Sequence, residues 1–128
     1  MFKDLTVFRM AYGMARHAGT RQAAIARNIA NADTPGYRAQ DVTPWPEMLK
    51  QGAGATVQRA TREGHLNGQP DPLTPVIHEV STGYSDPNGN RVSLEQEMLK
   101  AVEVKREHDV ATAVYRSSLT ILRASLGR

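Results

Sequence analysis

The sequence predicts a mainly α protein in which long N- and C-terminal helices form an antiparallel, coiled-coil-like hairpin around an irregular middle segment containing short β strands. Three observations carry that prediction. Apolar or small residues recur at alternating spacings of three and four from Leu5 to Ile29, and a second such ladder runs from Leu94 to Leu126. Between them, residues 38–90 hold six of the seven prolines and six of the ten glycines. The expected organisation is therefore one axial helical domain built from residues 1–33 and 92–128. Residues 34–91 form a loop-rich connection with short strands.

The N-terminal seam reads Leu5, Phe8, Tyr12, Ala15, Gly19, Gln22, Ala26 and Ile29, with Ala18 and Ile25 broadening it. Its ends are large and its middle is small or polar. A helix over about Lys3–Asn31 is about 40 Å long at about 1.5 Å per residue. Gly13 and Gly19 each weaken it by up to about 1 kcal/mol relative to alanine, so its order depends on packing.

The C-terminal helix opens with Ser93-Leu94-Glu95-Gln96, a capping-box pattern, and Glu95 and Glu97 suit the positive end of the helix dipole. Its seam is Leu94, Met98, Ala101, Lys105, His108, Thr112, Tyr115, Leu119, Leu122 and Leu126, and Gly127 ends it. Folded back antiparallel, the two seams bring Leu5 and Phe8 toward Leu122 and Leu126. Ile25 and Ile29 then approach Leu94 and Met98. The central layers contribute little apolar burial, and polar seam residues more often fix register or meet a third helix.

The N-terminal helix leaves through Asn28-Ile29-Ala30-Asn31-Ala32-Asp33-Thr34-Pro35-Gly36-Tyr37-Arg38. Pro35 presets φ, Gly36 supplies the positive φ of a type II turn, and Pro35 pushes Thr34 out of the helical region. Asn31 and Asp33 can satisfy the polar groups orphaned at the helix end. Short strands are expected at Thr56–Thr61 and Val76–Ser81. Gln51–Ala55 and Asn67–Pro75 read as loops, and Asp86-Pro87-Asn88-Gly89-Asn90 as a turn into the second helix.

Composition narrows the function classes. The 128 residues suffice for one domain, but one Trp, two Phe and 5% aromatic residues make a thin core, or one completed by neighbouring subunits. A net charge of +3, balanced locally along both helices, gives no nucleic-acid footprint. Cysteine is absent, which excludes disulfides, thiolate catalysis and cysteine-based metal sites. No run is long and apolar enough for a membrane span, and residues 1–20 lack the apolar core of a cleaved signal peptide.

The four histidines, His17, His65, His78 and His108, show no metal-ligand spacing, and no nucleophile elbow or phosphate loop is present. Asp86, Asn88, Asn90 and Glu97 fall on four positions of a calcium-loop template. Arg91 occupies its glycine position, however, and a turn plus a helix-start carboxylate explains the same residues. The sequence therefore names no catalytic, cofactor-binding or metal-binding residue.

The segment from Asn28 to Ala39 resembles the N-terminal signature of bacterial flagellar rod and hook proteins. The short length, Thr61 followed by His65-Leu66, and Asn88-Gly-Asn-Arg-Val-Ser-Leu-Glu-Gln-Glu-Met98 make the chain most similar to the proximal-rod members of that group. Both terminal helices share the resemblance and the middle does so patchily. Glu107-His108-Asp109-Val110 and Pro44-Trp45-Pro46 depart from the family pattern.

The resemblance implies a structural, non-enzymatic subunit of the flagellar basal-body rod in the periplasmic space. It implies export through the flagellar type III apparatus without a cleaved signal. The implied partners are other rod subunits, proteins of the membrane-ring and export-gate junction, and the export apparatus, with no nucleic acid and no membrane span. Asn28, Ile29, Asn31, Asp33, Thr34, Pro35, Gly36 and Tyr37 would form the assembly motif. Leu5, Phe8, Tyr12, Ile25, Met98, Tyr115, Leu119 and Leu122, with Ile29, would pack the helical tube. The alternatives are another short axial rod protein, a cytosolic helical adaptor or export chaperone, and a small hydrolytic enzyme.

Overall fold

The computed structural model describes residues 2–52 and 73–127, with side chains over 6–51 and 73–127. Helix α1 spans Phe2–Ala30 and helix α3 spans Leu94–Ser125, and they pack against each other along the hairpin. Pairs run in opposite order along the two helices: the rings of Phe8 and Tyr115 meet edge to face at 5.2 Å, while Asn28 reaches Glu97 at 2.9 Å. The long-helix hairpin matches the sequence expectation. The strand expected at Thr56–Thr61 and the Thr61…His65-Leu66 element lie outside the described residues. Of the loops expected at Gln51–Ala55 and Asn67–Pro75, Gln51 and Gly52 are instead helical, and 73–75 is irregular as expected.

The middle holds more structure than the sequence suggested. Strand β1, Gln40–Val42, pairs antiparallel with strand β2, Ile77–Glu79, with Gln40 opposite Glu79 and Val42 opposite Ile77. Strand β2 falls inside the expected Val76–Ser81. Helix α2, Trp45–Gly52, starts at the Pro44-Trp45-Pro46 segment: the Pro44 carbonyl accepts from the Glu47 and Met48 amides at 3.0 and 3.1 Å. Pro46 sits in the first turn, where a missing N–H costs nothing. The Trp45 indole lies over Gly13, whose added Cβ would stand 3.0 Å from the ring edge, so this glycine is a site of close approach.

Burial sets the helix seam one residue earlier than the apolar pattern implied. The buried residues of α1 are Ala11, His17, Ala18, Arg21, Ala24, Ile25 and Asn28, and those of α3 are Glu97, Val104 and Ala111. Ala18, Ile25 and Val104 form the apolar cluster, with Ala101 packed against it. Tyr12 and Met98, assigned to helix packing from sequence, lie on the surface at 68% and 56% exposed. Phe8, Leu119 and Leu122 are half-buried, Tyr115 and Ile29 are about two-fifths exposed, and the Leu5 side chain is outside the described residues. The cause of the rotation is a third layer: β1 and α2 cover one side of the hairpin, and polar side chains with distant partners occupy the interior positions.

All fully buried helix residues fall between Ala11 and Ala111, counted through the hairpin corner. Beyond them, among the described residues, the two helices run on as an arm with no third layer. The expected capping box does not form, because the Ser93 side chain makes no cap hydrogen bond. Its carbonyl accepts from the Glu97 amide at 3.0 Å, and the preceding Val92 amide is taken by Asn90.

Candidate functional site

The corner where α1 hands over to β1 is organised by two buried asparagines. Asn28, in the last turn of α1, is fully buried. Its amide nitrogen donates to the Gln40 carbonyl at 2.7 Å and to the Glu97 carboxylate at 2.9 Å. Its amide oxygen accepts from the Gln40 amide at 2.9 Å and the Tyr37 hydroxyl at 3.3 Å. Every hydrogen-bonding position of the side chain is used, and the paired contact with Gln40 imitates a neighbouring strand. Helix, turn, strand β1 and the start of α3 therefore meet on one side chain.

Asn90 does the same from the other side. Fully buried, it donates to the Asn31 and Thr34 carbonyls at 2.9 and 2.8 Å and accepts from the Val92 amide at 2.8 Å. Carbonyls of the turn that follows α1 are thus satisfied by the loop that leads into α3. The expected turn is present: the Tyr37 amide reaches the Thr34 carbonyl at 3.3 Å, and Gly36 has φ +71°. Gly36 also donates to the Asn88 carbonyl at 3.1 Å, and Arg91 to the Tyr37 carbonyl at 3.0 Å. Asn31 caps back onto the Arg27 carbonyl at 2.8 Å and accepts from the Thr34 hydroxyl at 3.2 Å.

Of the motif residues singled out in the sequence, Asn28, Asn31, Thr34, Gly36 and Tyr37 come together in this network. Ile29, Asp33 and Pro35 remain at the surface. The sequence reading missed Gln40, Asp41, Arg21 and the inward role of Glu97. It placed Asn90 in a turn, on the calcium-loop template and in the Asn88–Met98 segment of the resemblance, without giving it a buried role. The signal that could have found Asn90 was its place in the Asn88-Gly-Asn-Arg-Val segment, a short polar residue two positions ahead of apolar Val92 at a helix entry.

From Asn28 a chain of charges continues along the helix interface. Glu97, 1% exposed, pairs with Lys100 at 2.8 Å, and Lys100 reaches Asp41 at 3.3 Å. Asp41 accepts from Arg21 at 3.0 Å and from the Val42 amide at 2.8 Å, and Arg21 lies 3.8 Å from Glu107. One turn further, buried His17 donates through Nε2 to the Thr43 carbonyl at 2.7 Å, and its ring stands 5.6 Å from that of Trp45. These groups use one another, which also removes Asn90 and Glu97 from the calcium template. Among the described residues no three His, Asp or Glu side chains converge on a cation position.

The ionic chain has a pH signature. Burial pushes the Asp41 carboxyl upward, but the Arg21 and Val42 hydrogen bonds and the Arg21 and Lys100 charges together outweigh it, leaving it below its ordinary 3.8. Burial pulls Lys100 downward, while the Glu97 hydrogen bond and the Asp41 charge carry it above its ordinary 10.5. A lowered carboxylate contributes stability above its unfolded value and loses it as pH falls through the folded one. A raised ammonium contributes below its unfolded value and loses it as pH rises through the folded one. The contribution of this pair is therefore expected to be flat across neutral pH and to fall away below 3.8 and above 10.5. In urea titrations across pH, Asp41→Asn should lower the neutral plateau and flatten the acid limb. An unchanged acid limb would refute the assignment.

A hairpin whose buried asparagines and ion pairs fix one helix against another and against β1 has the build of a structural subunit. The sequence model described as Flagella basal body rod protein matches residues 16–38, which span His17, Arg21, Asn28 and the Gly36 turn. The flagellar basal body rod protein FlgB of Agrobacterium fabrum is 30% identical over 121 residues, covering 90% of this chain and 88% of its own. The FlgB protein of Escherichia coli is 36% identical over 86 residues, 60% of this chain and 61% of its own. That of Salmonella typhimurium is 29% identical over 107 residues, 77% of each. The chain belongs to the FlgB family of flagellar basal body rod proteins.

Proposed function

We propose that the chain is a structural subunit of the proximal rod, exported by the flagellar type III apparatus without a cleaved signal and polymerised into a helical tube in the periplasmic space. The observation that carries this reading is the corner itself: the family match falls on the residues that lock the exit of α1 onto β1 and α3. Residues 1–33 and 92–128 act as one axial unit. Other rod components are the partners, and proteins of the membrane-ring and export-gate junction meet the subunit at the base. Asn28, Asn31, Thr34, Gly36 and Tyr37 set the angle at which the helix leaves, while Phe8, Tyr12, Met98 and Tyr115 pack against neighbours in the tube. No helix of the described residues is long and apolar enough to cross a membrane.

Mass spectrometry of purified hook-basal bodies tests the reading. The chain should be recovered with the rod, and its confinement to the cytosol would turn the assignment toward an adaptor or export chaperone. The turn supplies a second test. Gly36 has open space around its Cβ position but φ +71°, so Gly36→Val costs backbone strain of about 1–3 kcal/mol without a clash. Export of that variant should persist while rods and motility fail. Normal rods in the variant would show that the exit angle is not what the turn supplies.

A further inference from the structure

Two buried polar atoms face each other between the long helices with no hydrogen-bond partner: Nδ1 of His17 and Oε2 of Glu107, 3.9 Å apart. His17 is fully buried, and the Glu107 side chain is 24% exposed. The other ring nitrogen, Nε2, lies 2.7 Å from the Thr43 carbonyl, which only accepts, so Nε2 carries a hydrogen. A neutral ring then turns the bare lone pair of Nδ1 toward a carboxylate oxygen, and two buried acceptors stay unsatisfied at once. A second ring proton removes both faults. Nδ1 becomes a donor, and the Glu107 side chain needs to move only about 1 Å to reach hydrogen-bond length.

We infer that His17 and Glu107 hold one proton between them, and that this proton latches the link between β1 and α2 onto the helix pair, tight when bound and slack when lost. Each element around the ring contributes. From α1, Arg21 stands 3.8 Å from Oε1 of Glu107 and is itself balanced by Asp41 of β1 at 3.0 Å, which leaves Oε2 for the imidazolium. From α3, Glu103 and Arg106 line the recess beside Glu107 with opposite charges, and Lys100 is taken up by Asp41 and Glu97. From α2, the Trp45 ring lies 5.6 Å from the His17 ring, inside the roughly 6 Å reach of a cation–π contact that only the charged ring makes. The two segments that depart from the family pattern, Pro44-Trp45-Pro46 and Glu107-His108-Asp109-Val110, therefore meet at His17. When the proton leaves, the Glu107 carboxylate loses its donor and turns toward Arg106, and Thr43 and Trp45 are held less firmly. The latch belongs to the single chain and does not rest on the rod reading.

Folding takes up this proton, so stability falls as pH rises through the range where imidazole changes charge, about 5 to 8. The Asp41–Lys100 pair is flat across that range. The single tryptophan of the chain is the reporter, because an imidazolium beside an indole quenches its emission more than an imidazole does. Emission of the full-length chain should rise between about pH 5 and 8 as a one-proton titration, while the urea midpoint falls. His17→Gln, whose amide still donates to the Thr43 carbonyl, should stay folded and lose the emission change and most of the urea slope. Glu107→Gln supplies an N–H for the bare Nδ1, so it should also stay folded, and about tenfold more acid should be needed for the same emission change. Nitrogen NMR of the wild-type chain at the acid end should show hydrogen on both ring nitrogens of His17.

An emission change that survives His17→Gln, a titration that Glu107→Gln leaves in place, or a urea midpoint that rises with pH would each overturn the latch. So would a wild-type His17 protonated on Nε2 alone at the acid end, a result that holds whether or not either variant folds.

Discussion

Asn28→Ala is expected to destabilise the protein by about 3 kcal/mol, although it removes only a few atoms. The loss is not a cavity effect. The substitution strips partners from the Gln40 amide and carbonyl and from one oxygen of Glu97, all held at 2.7–2.9 Å. Asn28 and Glu97 are buried at 0% and 1% exposed, so the orphaned groups do not recover water without opening the corner. Asn28→Asp should be at least as damaging, because it sets a second carboxylate against Glu97. The measurement is the urea midpoint at constant slope, and a loss below about 1 kcal/mol would show that the corner relaxes around the missing amide.

Arg21→Met should cost about 3 kcal/mol, near the value for removing one member of a buried ion pair. Methionine keeps much of the apolar stem, so the effect isolates the guanidinium. Asp41 would retain Lys100 at 3.3 Å, but its 3.0 Å hydrogen bond from Arg21 would be gone, and Glu107 would lose its cation. Combining Arg21→Met with Asp41→Asn should cost clearly less than the sum of the two, because the second change removes the carboxylate the first leaves uncompensated. Strict additivity in that cycle would mean the pair contributes no coupling to the fold.

The two helices, their antiparallel order and the exit turn were legible because their signals are local: spacing over one helix, and a Pro-Gly pair that needs positive φ at Gly36. The phase of the seam was not. Large residues such as Phe8, Tyr12 and Met98 mark an apolar line in the sequence, but the buried line one position away mixes Ala18, Ile25 and Val104 with Arg21, Asn28 and Glu97. The polar three are interior only because distant partners satisfy them, such as Glu97 for Asn28, 69 residues away. A pattern of hydrophobicity carries no information about such pairing. Strand β1 escaped for the same reason: Gln40-Asp41-Val42 is short and polar, and its order comes from Asn28 and from β2. Helix α2 hid behind two prolines that look like breakers and serve as a start.

The division between a polar corner and an apolar arm has a mechanical consequence. Hydrocarbon surfaces slide over one another with little change in energy, whereas a side chain bound at four points, to a strand, a carboxylate and the Tyr37 hydroxyl, admits a single register. Shear along the helix pair is therefore resisted at Asn28 and tolerated toward Phe8 and Leu122. Each subunit is stiff at one end and compliant at the other, so misfit between neighbours is absorbed at the arm without altering the angle at which the chain turns its corner.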